Sequence, residues 1–367
     1  MKLKKTIVTL LGVAFALSSN AEEPGNLKTG FTYGNPGIKS IKAIAFGPEN
    51  ILFIGDNTGM TVYAVDVQDT QEMVIHELTL EGLDKKLAAA MGASTKDITI
   101  LDMAVNPASK NVFFAVSKKN GEETSYALFR LGKDGLGEFP LENVSHSKKE
   151  ITNAPAADHK TWKRPSRTYT VTDMHYVNGE LIISGLSNEE FSSGLRRVAF
   201  PFDQDMLTTN VQVYHVSHGR NETHAPIYRF LPVQLENQWH VVAGYMCTPL
   251  VTFKLSELNG NKKLVGKTVA EIGAGNTPTG IISYTHKGKD YVLVGNNVHP
   301  LTKISGKDLF NAKAITAPSR ERGVKRENIK LGSISHISDY DSTYILVMLR
   351  DKKSDSYNLK LISKDEV

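Results

Sequence analysis

The chain has 367 residues, 40% hydrophobic and 22% charged, with 43 Lys and Arg against 39 Asp and Glu. Lys2, Lys4 and Lys5 fall within the first 21 positions, which hold no acidic residue. The rest balances at 40 to 39 and lacks the basic footprint that nucleic-acid binding requires. Cys247 is the one cysteine, which excludes an internal disulfide, so stability rests on burial, for which a chain of this length is ample.

Residues 1–21 read as a signal peptide: the lysines precede an apolar run from Ile7 to Leu17, and the small residues Ser19 and Ala21 flank a cleavage point. That run is short of the roughly 20 residues a membrane-crossing helix needs, and no later segment replaces it. No Cys follows Ala21, so a lipid anchor is not indicated. The expectation is a periplasmic or secreted protein with no membrane span, its folded domain being residues 22–367.

Within that domain short apolar runs recur roughly 50 to 70 residues apart. ILFIG ends at Gly55, LIISG at Gly185, VVAG at Gly244 and VLVG at Gly295, while VFFAV ends at Val116 and YILVM at Met348. An alternating segment and a turn precede each, as in TVTDMHYV before Asn178-Gly179, and another alternating segment follows. Period-two alternation punctuated by Gly, Asn and Asp specifies antiparallel strands and tight hairpins. Fourth strands are read in VIHELTL, VQVYHVS, KTVAEI and AKAITA, and a helix over Leu83–Met91 as an insertion between units.

Four short antiparallel strands per unit make a propeller blade. The fold class is therefore all-β, a single β-propeller with six four-stranded blades, or seven if residues 141–170 conceal a degenerate one. NAPAADHKTWKRPSR within that stretch reads as an inserted loop. The last unit has three strands, so the N-terminal strand near Leu27–Tyr33 is expected to supply its fourth and close the ring, removing two open edges. The glycine-ended strands and Asn/Gly turns resemble the bacterial secreted propellers of the YVTN and NHL-repeat type. The likeness is architectural, spans nearly all of residues 22–367 and assigns no functional residue.

The sequence has no covalent-haem C-x-x-C-H, no H-E-x-x-H, no G-x-S-x-G and no P-loop, and Gly273-Ala-Gly275 reads as a turn. In a propeller the second-to-third-strand loops and the interblade loops meet on one face. Candidates there for ligand binding are Arg164, Arg196, Asn276, Asn297 and Arg350. Arg196 and Arg197 open the strand LRRVAF and point to opposite faces, and a partly buried arginine needs a carboxylate or an anionic ligand. Candidates for a metal are His224, Met246, Cys247 and His299, a donor set suited to copper or zinc. His215 and His218, three apart, would face opposite sides of an ideal strand and read as structural. Glu189 and Glu190 read as a solvated loop tip, and Asp339 and Asp341 as hairpin residues.

The reading is an exported ligand-binding or scaffold propeller with a polar, metal-capable site at the channel mouth, its partner a small molecule or a protein. The alternative is a metal-dependent lactonase or hydrolase, or a copper- or cofactor-dependent redox enzyme of the periplasm, with His224 as the titratable group.

Overall fold

The computed structural model describes residues 26–161, 163–189, 192–260, 263–318 and 323–367, apart from the side chains of Cys247, Thr248 and Ala274. The expected signal peptide lies outside the described residues. Six antiparallel sheets stand in a ring. Their innermost strands, which face the channel, are Ala43–Phe46, Ile98–Val105, Asp173–Val177, Ile227–Leu235, Pro278–His286 and Ser333–Asp339. We number the blades 1 to 6 in that order.

Each recurring apolar run is the second strand of a blade: Ile51–Asp56, Val112–Asn120, Glu180–Leu186, Gln238–Tyr245, Lys289–Asn296 and Tyr344–Asp351. A second strand is covered on both faces by neighbouring blades, so it needs apolar residues at every position rather than at alternate ones. Leu52, Phe53 and Ile54 are all wholly buried. Glycine ends such a strand where the backbone entering a blade passes close by: a β-carbon on Gly185, whose φ is 156°, would stand 2.1 Å from the Thr170 carbonyl oxygen on the chain that leads into its own blade.

The ring does not follow chain order. One hydrophobic cluster fills each interface, and the partners are blades 1 and 2 (Ile44 and Ile54 with Phe113), 2 and 6 (Phe114 and Phe129 with Met348), 6 and 5, 5 and 4, 4 and 3, and 3 and 1 (Ile183 with Phe53). Blade 1 therefore sits between blades 2 and 3. Its fourth strand, Val144–Glu150, arrives only after blade 2 is complete, and Thr32–Gly34 adds a fifth outside it. The 141–170 stretch thus holds the outer strand of blade 1 and a loop, and no seventh blade.

The last blade, Ser333–Asp339, Tyr344–Asp351 and Ser356–Ser363, takes its fourth strand from Thr79–Leu80, which pairs with Lys360 and Leu359. Closure thus comes from an early part of the chain, but not from residues 27–33. Of the other expected fourth strands, Leu207–His215 and Lys267–Asn276 overlap the runs read in blades 3 and 4, whereas blade 5 uses Glu327–Ile329 in place of AKAITA.

To reach blade 6 the chain crosses blade 2, where buried Asp69 anchors it. Its carboxylate accepts from Asn106 Nδ2 (2.9 Å), Asn111 Nδ2 (2.7 Å), Arg130 Nη1 (3.2 Å) and the Ser109 hydroxyl. The helix Leu83–Ala90 follows the closing strand and packs Leu83 and Leu87 into the cluster between blades 2 and 6. Its buried Asp84 accepts from Ser356 Oγ (2.6 Å) and the Tyr357 N–H (2.8 Å), which latches the closing segment to the final strand. Asp84→Ala leaves both donors buried without their acceptor and is expected to cost about 1–3 kcal/mol. Urea unfolding measures this, and a loss below roughly 0.5 kcal/mol, the usual size of a neutral surface change, would show that the latch does not hold the ring.

Candidate functional site

Four of the six innermost strands carry a register shift near the same end: between Ile100 and Asp102, Ile227 and Arg229, Pro278 and Gly280, and Ile334 and His336. A bulge adds one residue and re-aims its neighbours. The extra residues, Leu101, Tyr228, Thr279 and Ser335, line a cavity of about 770 Å³ at one end of the channel.

The cavity floor is a buried charged layer. Arg229 reaches across the channel from blade 4, with Nη2 3.2 Å from Asp102 Oδ1 of blade 2 and Nη1 3.7 Å from Asp173 Oδ1 of blade 3. Its Nη1 also donates to the Thr172 carbonyl at 3.0 Å. Both carboxylates are tied to the next blade's backbone: Asp102 accepts from the Ile44 N–H and Asp173 from the Phe230 N–H, each at 2.9 Å. Burial opposes the charge on Arg229, but Asp102 and Asp173 outweigh it and raise its pKa. For Asp102 burial wins over Arg229 and the pKa rises. For Asp173 burial is overcome by His175, Arg229 and the Phe230 N–H, and the pKa falls.

His336 of blade 6 completes the floor. Its Nε2 lies 3.3 Å from the Leu101 carbonyl, which places the proton on Nε2, and the buried Nδ1 has no hydrogen-bond partner. Burial first, then Arg229 and Lys42, lower its pKa to about 3. Beneath this layer a second cavity of about 430 Å³ opens toward the other face, sharing Arg229, Thr279 and His336 with the first.

The rim is cationic. Lys42, Arg164, Arg350 and Lys352 line the larger cavity, and no Asp or Glu is among its described lining residues. Arg164 sits on the loop before blade 3, which Asn57 pins to blade 1 by donating to the Thr168 and Val171 carbonyls and accepting from the Val171 N–H. Its Nη1 is 3.5 Å from the Tyr169 hydroxyl. Arg350 ends the second strand of blade 6 and bonds to Asp355 through Nε at 2.8 Å. Asn297 accepts from the Thr277 N–H at 2.8 Å, and Met246 also lines the wall.

The structure thus places Arg164, Asn297 and Arg350 around one cavity and puts Arg196 and Asn276 elsewhere. Arg196 is 1% exposed, and its guanidinium donates to Asn153 Oδ1, the Thr170 carbonyl and the Leu186 carbonyl. Arg197 pairs with Glu180. Asn276 is buried and donates to Asn296 Oδ1 at 2.6 Å. Of the metal candidates, Met246 faces the cavity, His224 is exposed on the segment entering blade 4, and His299 packs against Gly273, where a β-carbon would meet its Nε2 at 2.4 Å. The Cys247 side chain lies outside the described residues. Glu189 accepts from Asn210, and Asp341 caps its hairpin by accepting from the Thr343 and Tyr344 N–H groups.

Sequence reasoning missed Lys42, Asp102, Asp173, Arg229, His336 and Lys352. A signal existed for four of them: each is a titratable residue inside the first strand of its unit, as in ITILDMAV, IYRF and SISHISD.

No family model matches the sequence, and no curated protein matches it. Among solved structures, the extracellular domain of a B. thetaiotaomicron protein described as a hybrid two component system matches with a TM-score of 0.36 at 11% identity. The match covers 90% of this chain and 39% of that one. A structure of the same domain described as a one component system gives 0.37 at 12%, with the same coverage. Raptor of Chaetomium thermophilum gives 0.34 at 10%, covering 92% of this chain and 25% of its own. This chain therefore spans about two fifths or less of the chains it matches.

His336 makes the floor acid-sensitive. Its folded pKa of about 3 lies below the ordinary 6.5, so between those values the unfolded chain binds a proton that the folded chain does not. The stability this group supports is full above pH 6.5 and is lost as pH falls toward 3. His336→Gln is expected to flatten the stability–pH slope across that window by up to one proton, and an unaltered slope in urea unfolding would exclude His336 as its source.

Proposed function

We propose that this chain is an exported ligand-binding propeller that takes a small anion, a carboxylate- or phosphate-bearing molecule, in the cationic channel mouth. The observation that carries the reading is the cavity of about 770 Å³ with Lys42, Arg164, Arg350 and Lys352 at its rim and no described carboxylate in its lining. Charge-assisted hydrogen bonds from such groups are shorter and roughly twice as strong as neutral ones. Tyr169, Tyr228 and Tyr357 add apolar wall and hydroxyl groups for a small organic anion. A binding role is favoured over catalysis by His336, because a base with a pKa of about 3 is mismatched to proton transfer near neutrality. Export is supported by the lysine-rich start and short apolar run of residues 1–21. N-terminal sequencing of the exported form should begin at Glu22, and a mature chain retaining Met1 would end that part of the proposal.

The binding reading is tested with residues 22–367 carrying no tag, titrated with inorganic phosphate, acetate and citrate, and with glucose as the neutral control. Saturable binding of at least one anion is expected, with a rise in melting temperature set by mass action and a loss of affinity as salt increases. Lys42→Ala and Arg164→Ala should each weaken it about tenfold, near 1.4 kcal/mol. Equal response to glucose, or an anion affinity unmoved by both substitutions, would sink the assignment of the mouth.

A further inference from the structure

On the outer edge of blade 3 the strand Leu207–His215 ends in a single 3-10 turn, Val216–His218, and the chain doubles back as Arg220–Glu222. Gly219, with φ 62°, makes the reversal possible at a backbone conformation that side chains with a β-carbon disfavour. In the returning pair Glu222 stands opposite Val213 and Arg220 opposite His215, so Glu222 and His215 are diagonal neighbours on one face. The turn rotates His218 onto the same face, which an ideal strand would not do. The two imidazole centroids come within 3.9 Å. His215 Nδ1 lies 2.8 Å from Glu222 Oε2, and His218 Nδ1 lies 2.7 Å from Oε1.

We infer that His215, His218 and Glu222 form a site for a divalent transition metal of the zinc type, separate from the channel. Among the described residues this is the one group of three such side chains whose ligand atoms all lie within 4.8 Å of one another. Two imidazoles and a carboxylate are a donor set that zinc takes, leaving a fourth position for water. Bonds near 2.0–2.1 Å set ligand atoms about 3.3 Å apart in a tetrahedron. Each imidazole-to-Glu222 separation, now 2.8 or 2.7 Å, therefore needs to open by about half an ångström, and all the ligand atoms already lie within 4.8 Å of one another. The metal takes the place of the two Nδ1 protons that now point at the carboxylate; in each neutral imidazole the proton moves to Nε2, which frees the Nδ1 lone pair to ligate.

Two features prepare the site. His215 and Glu222 are buried, with side chains 2% and 4% exposed, whereas His218 is 45% exposed and opens a path from solvent. Glu271 of blade 4 fixes the turn from behind, accepting from the Val216 N–H at 3.0 Å and from Ser217 Oγ at 2.9 Å. Arg220 is the competitor: its Nε is 3.1 Å from Glu222 Oε1, but its side chain is 67% exposed and can swing into water when a cation arrives.

The test uses residues 22–367 without a polyhistidine tag, treated with chelator, dialysed, and titrated with Zn²⁺ calorimetrically and with Co²⁺ by visible absorption. One ion per chain is expected, with affinity on the order of micromolar or tighter and a Co²⁺ spectrum of four-coordinate type. His218→Ala, at the exposed position, should weaken binding at least tenfold, while Arg220→Ala, which removes the competing cation, should tighten it several-fold. Absence of saturable binding in the parent overturns the proposal. So does stoichiometric binding that His218→Ala leaves unchanged, since the ion would then lie elsewhere on the chain.

Discussion

A guanidinium buried on the channel axis constrains everything around it. Arg229 carries its charge where water is scarce, so the innermost strands must bring compensation from several directions. Asp102 comes from blade 2 and Asp173 from blade 3, and each is braced by a backbone N–H of the blade beside it. Burial first, and then the same cation, keep the imidazole of His336 neutral on blade 6. Bulges just before Asp102, Arg229 and His336 bring these three to one level, where Asp173 stands in a strand of unbroken register. The layer they form divides the channel in two, and its own carboxylates answer Arg229, so that the lysines and Arg164 at the rim are left to face whatever enters.

The two kinds of arginine in this protein show how a shared residue type separates by surroundings. Arg196 has its donors consumed by Asn153 and two carbonyls inside blade 3, where it serves as a strut. Arg164 stands on a loop pinned by Asn57 and lines open space. Burial, and not position along the strand pattern, decides which of them can meet a ligand.

That difference also marks how far the sequence can be read. Apolar runs with glycine at their ends were legible because a second strand is packed on both faces, a condition that local composition records directly. The number of blades followed from their spacing. Strand partnership was not legible: Thr79–Leu80 has the alternation of any fourth strand, and nothing local says that its neighbour is Leu359 in place of the blade just finished. Arg164, Asn297 and Arg350 could be placed on one face because loop position follows from blade register. Asp102, Arg229 and His336 escaped because an alternating strand hides which of its polar residues a bulge will turn toward the axis. His215 and His218 were judged on ideal strand geometry, which a three-residue turn replaces.

The interleaved order of the strands bears on how the ring can be assembled. Blade 1 lacks its outer strand until residues 144–150 have been made, and the strand at 79–80 must wait about 280 residues for its partner. Most blades between them can form from neighbouring sequence, and blade 1 is complete once residues 144–150 are made, but the strand at 79–80 and the face that blade 2 turns to blade 6 wait for Ser356–Ser363. A chain that stops short of residues 359–360 therefore leaves Thr79–Leu80 without its strand partner. The strand Ser356–Ser363 is thus the keystone of the ring: one short segment turns a row of separately folded blades into a closed circle.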